Sequence, residues 1–292
     1  MSGAWLPLAL LCAFSLATSD ALTKRALVGR NEYLILWLRL LVALPPLLCL
    51  FPFVPVPPLG PGFWPAIIFC LPLEAVATVL YVKALKVSPL SLTLPFLALT
   101  PVFLLLVPFI LLGERLTGAG VTGILLIAAG SYVLNLAEVR RGLLAPLRAI
   151  AREPGSRSMI AVALIYSITA TLGKQAIAAS SPLFFGVVYS PLLALLLTPL
   201  VLRKAGGEIT GALRDGTLRA VLAPGLWYAL VTVTHVLAMS LTQVAYMIAV
   251  KRTSLLFGVL YGHLMFREPG FRERPVGALL MLAGVGMIVT GG

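Results

Sequence analysis

The sequence predicts an all-α membrane protein whose ten transmembrane helices form a 5+5 inverted repeat. Its 292 residues are 60% hydrophobic and only 11% charged, and the mean hydropathy is +1.04. A soluble domain carries about 25% charged residues. In lipid each backbone polar group needs a partner within the chain, so long apolar stretches must be helices. The strand-period alternation of a membrane barrel is absent.

Ten apolar stretches approach the roughly 20 residues that a membrane helix needs. The predicted spans are Trp5–Leu22, Tyr33–Leu50, Trp64–Leu85, Leu90–Leu112, Gly118–Leu136, Met159–Ala178, Leu183–Leu202, Ala220–Leu241, Ala245–Phe266 and Arg274–Val289. The three cysteines, Cys12, Cys49 and Cys70, lie within these spans. We interpret them as small buried side chains rather than as a disulfide or a set of metal ligands.

The two halves of the chain repeat each other. Ala21–Leu27 is echoed by Thr171–Ile177, and the glycine spacing of the fifth span recurs in the tenth. Because each half has an odd number of spans, the second must enter the membrane from the opposite side, as in inverted-repeat carriers. We predict one five-helix repeat in residues 1–145 and a second in 146–292, joined by the hydrophilic stretch 137–158.

Positive charge alternates along the chain. The odd-numbered connections between spans hold 17 of the 22 Lys and Arg residues, while the even-numbered connections and both termini hold only Arg115. The positive-inside rule then places the odd connections in the cytoplasm and both termini outside. We therefore interpret the net charge of +12 as a sign of insertion into the lipid bilayer, with no nucleic-acid partner. A basic surface for anionic lipid does not by itself explain the alternation.

These features resemble the drug/metabolite transporter superfamily, specifically its EamA-type ten-helix members, over nearly the whole chain. The resemblance rests on Lys24, Arg39, Lys83–Pro89, Gly113–Leu116, Tyr246–Ser254 and Phe266–Glu268. It implies a multi-pass carrier of the cell (inner) membrane whose relatives move amino acids, sugars, nucleotide sugars, sugar phosphates or drugs. The better-known members have cytoplasmic termini, the reverse of what the loop charges predict here, and the superfamily also contains oppositely inserted proteins.

Charged side chains inside spans mark the predicted site, since each costs about 2.5–3.5 kcal/mol in a membrane. Lys251 and Arg252 are neighbours on one helix and point about 100° apart, so at least one should face the interior. Organophosphate antiporters of the superfamily bind phosphate with a similar Lys-Arg pair, so the resemblance implies an anionic group on the substrate. In the alternative, both residues extend to the outer interface or pair with Glu74.

Glu74 is the one carboxylate deep in a predicted span. Without a cation nearby it would carry a coupling proton, whereas beside Arg39 or Arg252 it would form a structural ion pair. We expect Asp20 and Lys24 to reach the membrane interface by extending their side chains.

Aromatic residues replace these charges in the repeat. Tyr189 aligns with Arg39, and Tyr228 falls near the counterpart of Glu74. An asymmetric lining on a symmetric scaffold fits a binding site, so we expect both tyrosines to stack on the substrate. In the alternative they are packing residues or interface anchors.

Paired glycines in the fifth and tenth spans predict close helix contact. They lie seven residues apart in each span: Gly123 and Gly130, then Gly277 and Gly284. Such spacing puts both glycines on one helix face, for packing within the bundle or for a homodimer through these two helices.

The predicted function is secondary active transport of a small polar metabolite, anionic or zwitterionic, by alternating access. We expect Lys251, Arg252, Arg39, Tyr189 and Tyr228 to bind the substrate and Glu74 to couple protons. The alternatives are a lipid or lipid-phosphate flippase of the same fold, an assembly subunit without transport activity, and a membrane enzyme. No HExxH, P-loop, GxSxG or CxxC pattern occurs, so we expect no catalytic residue, metal or cofactor.

Overall fold

A computed structural model describes residues 3–87, 94–136, 154–212, 214–267 and 275–291, which form helices with short connections and no strands. The twelve α-helices of these residues are α1 (Trp5–Ala26), α2 (Glu32–Leu50), α3 (Phe63–Val87), α4 (Leu99–Phe103), α5 (Val107–Leu112), α6 (Gly118–Leu136), α7 (Pro154–Ala178), α8 (Pro182–Ile209), α9 (Thr217–Leu241), α10 (Val244–Lys251), α11 (Ser254–Phe266) and α12 (Pro275–Gly291). The sequence motif residues Ser88, Pro89 and Glu268 lie outside the described residues, as does most of the connection between the halves, 137–153.

The apolar helices identify an integral, multi-pass membrane protein. Seven helical stretches of the described residues are long and apolar enough to cross a membrane. Three further apolar stretches are shorter, namely Phe96–Leu112, Gly118–Leu134 and Pro275–Gly291. Together these stretches overlap the ten predicted spans, while the number of crossings and the inverted repeat stay predictions.

Two predicted spans are not continuous helices. The fourth contains a 3-10 turn at Leu94–Ala98, then α4 and α5. Its prolines explain the breaks, because proline removes a backbone N–H and clashes with the preceding turn. The ninth span breaks between α10 and α11 without a proline. There the Thr253 hydroxyl donates to the Val250 carbonyl at 2.7 Å and competes with the helical hydrogen bonds.

The glycines predicted to mark a helix contact bring α6 and α12 together within one chain. A Cβ added at Gly130 would lie 2.6 Å from the Gly277 carbonyl oxygen, and one at Gly123 would lie 2.6 Å from that of Gly284. The two backbones therefore touch, which is the bundle packing that small residues permit. Because the glycine faces are covered, a homodimer built on these helices would have to use their other faces.

The remaining packing joins helices from distant parts of the chain. α1 packs along α9, α3 packs along α7, and α2 lies beside both α8 and α9. α10 is enclosed along its whole length, with Val244–Val250 buried. A helix surrounded on all sides carries apolar residues on every face, as α10 does until its last residue, Lys251.

Candidate functional site

The break between α10 and α11 positions the two cations that the sequence singled out. Lys251 is the last residue of α10, where the partial negative charge of a helix C-terminus stabilises a cation. Its Nζ lies 3.3 Å from Nδ1 of His235 on α9. Arg252 follows at the break and donates from Nη2 to the Thr100 hydroxyl of α4 at 2.9 Å. Both side chains therefore point into the bundle, and neither extends to the outer interface.

Arg39 on α2 is held by three groups. Its Nη1 donates to Asp20 Oδ1 at 3.0 Å and to the Thr23 hydroxyl at 3.2 Å, both on α1. The guanidinium carbon also lies 4.6 Å from the centre of the Tyr228 ring, within the distance of a cation–π interaction. The acid that pairs with Arg39 is thus Asp20, which the sequence analysis placed at the membrane interface.

Glu74 on α3 lies near a cation but not beside one. Its carboxyl faces Thr169 of α7 and is close enough to Lys251 to interact electrostatically. The sequence left open a structural ion pair between Glu74 and Arg39 or Arg252. Among the described residues, Glu74 forms no such ion pair. The Thr78 hydroxyl, one turn further along α3, donates to the backbone carbonyl of Glu74 at 2.8 Å.

The two predicted aromatic residues lie in the same region. The Tyr189 hydroxyl lies 3.4 Å from Cys70 Sγ, and its ring stacks on Phe185 with centroids 5.1 Å apart. Tyr228 faces Arg39, and both tyrosines interact electrostatically with Glu74. Each therefore has packing contacts as well as a place beside a charged group.

The structure adds four residues that the sequence analysis did not propose as substrate-binding. Asp20 interacts electrostatically with Arg39, Lys251 and Arg252, and Tyr166 does so with Glu74 and Arg252. The other two are Thr100 and His235, which contact the cationic pair directly. Hydroxyl and imidazole groups give no charge signal in an apolar sequence, and Asp20 lies only six residues from the end of α1, so a helix-by-helix reading does not single them out.

Two arginine nitrogens in this cluster have no acceptor. Among the described residues, Nε of Arg39 and Nε of Arg252 are buried and form no hydrogen bond. Leaving a buried neutral polar group without a partner costs about 1–3 kcal/mol, and a buried charged donor without an acceptor costs more. We refer to Arg39, Glu74, Lys251 and Arg252, with Asp20, as the central cluster. Three cations against two carboxylates leave it with net positive charge, which suits an anion.

One end of the bundle is tied together by hydrogen bonds between the two predicted repeats. Glu114 Oε2 accepts from the Val244 N–H at 3.1 Å, and the Gln243 side chain donates to the Arg115 carbonyl at 2.9 Å. The Thr117 N–H donates to the Tyr246 hydroxyl at 3.1 Å. We call this region the Glu114 end.

Two further contacts close the Glu114 end. The Gly60 N–H donates to the Ala179 carbonyl at 2.8 Å. Lys174 Nζ donates to the carbonyls of Met239 and Thr242, at 2.5 and 2.9 Å, where α9 ends. Lys174, a charge that the sequence places inside a span, therefore has a structural role as a helix C-terminal cap.

Towards the opposite end, the repeats are joined by a different pair. The Thr18 hydroxyl of α1 lies 2.7 Å from the Tyr261 hydroxyl of α11. Lys24, a turn and a half further along α1, places Nζ 4.5 Å from the centre of the Phe266 ring. The expected extension of Lys24 to the membrane interface stays a prediction.

Comparison with known proteins agrees with this architecture. A solved crystal structure superimposes with a TM-score of 0.74 at 18% sequence identity, covering 97% of this chain and 95% of that one, so the fold is shared over essentially its whole length. No curated protein matches the chain at a significant level. Residues 3–136 match the EamA-like transporter family. Residues 3–136 are therefore similar to the EamA-like transporter family, which belongs to the drug/metabolite transporter superfamily.

Proposed function

We propose that this protein is a secondary active transporter that moves a small polar metabolite, anionic or zwitterionic, across the cell (inner) membrane. The observation that carries the proposal is the pair of buried guanidinium nitrogens without acceptors, one on Arg39 and one on Arg252. They belong to different predicted repeats and share Asp20 and Tyr81 as electrostatic neighbours. A carboxylate or phosphate can accept from such planar donors with two oxygens at once.

The proposed mechanism is alternating access by two inverted five-helix repeats. In an inverted repeat, the first helix of each half can pack against the third helix of the other half. The packing of α1 on α9 and of α3 on α7 has that exchanged relation and supports ten crossings. Opening would break the hydrogen bonds of the Glu114 end and form others at the opposite end, around a fixed central cluster.

Glu74 is the proposed proton-coupling residue. It is the carboxylate of the central cluster that lacks an arginine partner among the described residues, and it interacts electrostatically with Lys251. Taking up a proton there would add one positive charge to the cluster, which favours an anionic substrate. Releasing the proton on the other side of the membrane would then favour release of that substrate.

The experiment begins with the purified chain in lipid nanodiscs, screened for thermal stabilisation by pools of metabolites, since a ligand of the folded state raises its stability. Hits are then tested for uptake into proteoliposomes with and without a pH gradient. Uptake of an anion or zwitterion that an inward proton gradient stimulates supports the proposal. Stabilisation by neutral or cationic compounds alone contradicts it.

A lipid or lipid-phosphate flippase is the second candidate, because a small apolar cleft opens between helices. The cleft lies among α2, α3 and α8 and is lined by Tyr33, Leu36, Trp37, Thr78, Val79, Leu197, Leu200 and Val201. An acyl chain could lie along this apolar surface while the central cluster binds a headgroup phosphate. Movement of a fluorescent phospholipid between leaflets of proteoliposomes, without uptake of soluble anions, would favour this candidate.

The loop charges also support an orientation with both termini outside the cytoplasm. Cysteine labelling of the exposed Glu114 end in intact cells tests this, because the proposal places that end outside. An assembly subunit or an enzyme lacks support from a specific contact among the described residues, and the family that residues 3–136 match is one of transporters.

A further inference from the structure

Asp20 holds Arg39 through a contact that Arg39 does not need for its position. The guanidinium also donates to the Thr23 hydroxyl at 3.2 Å and lies over the Tyr228 ring at 4.6 Å. These two contacts come from α1 and α9 and fix the group from two sides. The carboxylate therefore occupies a donor of an arginine that other residues already orient.

The two partners of this ion pair differ in exposure. The Asp20 side chain is 52% exposed and that of Arg39 only 14%. Among the described residues, Asp20 makes one ion-pair contact, through Oδ1. Water competes for the exposed Asp20 carboxylate, so this ion pair contributes less net stability than one with both partners buried. An incoming oxyanion that accepts two hydrogen bonds can therefore displace this carboxylate.

When Asp20 is displaced from Arg39, other cations remain close to its carboxylate. Besides Arg39, it interacts electrostatically with Lys251 and Arg252. Its charge thus stays compensated by the cationic pair after Arg39 has been released. A substrate ammonium group would not bind well where the Asp20 carboxylate lies, because three cations interact with that position.

Resting on the proposed function, we infer that Asp20 is an internal competitor for the substrate's anionic group: its carboxylate occupies the Arg39 guanidinium and yields it to a carboxylate or phosphate. Asp20 then determines specificity. An anion that forms one weak contact, such as chloride, does not displace it, whereas an oxyanion that takes two guanidinium donors does. The donor for which Asp20 and the oxyanion compete is Nη1 of Arg39.

The test measures binding of inorganic phosphate to the full chain in nanodiscs by thermal unfolding at constant ionic strength. Asp20→Asn keeps the size of the side chain and removes its charge. We expect half-saturation at an approximately fivefold lower phosphate concentration than in the wild type, the upper end for an exposed ion pair. Arg39→Gln should abolish the stabilisation by phosphate. Glu208→Gln is the matched control, because it removes a carboxylate that accepts from Asn31 at the surface, at 2.9 Å.

A second measurement uses the wild-type protein alone. Phenylglyoxal modifies accessible arginines, and the extent of modification at Arg39 can be followed by mass spectrometry. Phosphate should protect Arg39, and chloride at the same ionic strength should not.

The outcomes separate the two levels of the proposal. Equal or weaker phosphate binding by Asp20→Asn, with the wild type stabilised by phosphate, overturns the competitor role and leaves the anion transporter standing; it would mean that Asp20 positions Arg39. If phosphate neither stabilises the wild type and Asp20→Asn nor protects Arg39, the anionic site itself is overturned, and the inference with it.

Discussion

Replacing Tyr246 by phenylalanine removes one hydroxyl and keeps the shape of a fully buried side chain. That hydroxyl accepts from the Thr117 N–H at 3.1 Å and lies 3.3 Å from the Thr117 hydroxyl, across the two predicted repeats. Losing a hydrogen-bond partner costs about 1–3 kcal/mol for a buried group. Since Thr117 is itself exposed, water can replace part of the contact, and about 1 kcal/mol is expected.

This loss acts on the conformational equilibrium of the carrier. Destabilising the closed Glu114 end by about 1 kcal/mol raises the population of conformations open at that end roughly fivefold. Tyr261→Phe is the matched counterpart, because it removes the same group from the contact with Thr18 towards the opposite end. It should shift the equilibrium the other way.

Cys70 provides the readout. Its thiol is buried within the half of α3 that lies nearer the Glu114 end, 3.4 Å from the Tyr189 hydroxyl. In a Cys49→Ser background, which removes the exposed cysteine, a water-soluble maleimide should label Cys70 about fivefold faster in Tyr246→Phe than in the parent. In Tyr261→Phe labelling should be slower. Equal acceleration by both substitutions would refute the reasoning, because it would indicate general loosening of the bundle.

Three further predictions concern single side chains. Glu74→Gln should leave the unfolding temperature nearly unchanged and abolish the response of uptake to a pH gradient; an unaltered response excludes Glu74 as the coupling group. Gly130→Ala should destabilise the protein by about 1–3 kcal/mol, because its Cβ would lie 2.6 Å from the Gly277 carbonyl oxygen. Gly286→Ala, where a Cβ meets nothing within 4 Å, should be neutral or stabilising, and a similar loss in both variants would show that close packing is not the cause. Burial raises the pKa of Glu114 above its ordinary value of 4.5, outweighing the opposite effects of the Val244 N–H and Lys174. The folded state then binds the proton more tightly than the unfolded state, so stability falls as pH rises above 4.5, and Glu114→Gln should reduce this fall; coincident pH profiles of Tm would contradict it.

The apolar stretches predicted where helices form, because in a membrane hydrophobicity alone forces helical backbone. Pro95, Pro101 and Pro108 also indicated a weakened fourth span, and the helix is broken there. The break at Arg252 was not predictable, since neither proline nor glycine marks it. It depends on the Thr253 hydroxyl competing for a carbonyl, a local balance that also operates in many unbroken helices.

The central cluster was predictable in composition and not in pairing. Charges inside apolar spans stand out in the sequence, so Arg39, Glu74, Lys251 and Arg252 were all identified. Which acid meets which base depends on how helices distant in the chain are packed and rotated. Asp20 pairs with Arg39 because α1 and α2 turn those faces towards each other, and no spacing within either helix encodes that orientation.

The backbone contact between α6 and α12 has a consequence for measuring motion. Two helices whose backbones touch at four glycines resist rotation and sliding, so we expect them to stay together as a rigid pair. We then expect rearrangements of the carrier to occur among the other helices. Spectroscopic labels on the outward faces of α6 and α12 would keep a constant separation through a transport cycle, and would supply the fixed reference against which the displacement of α1, α3, α7 and α9 can be read.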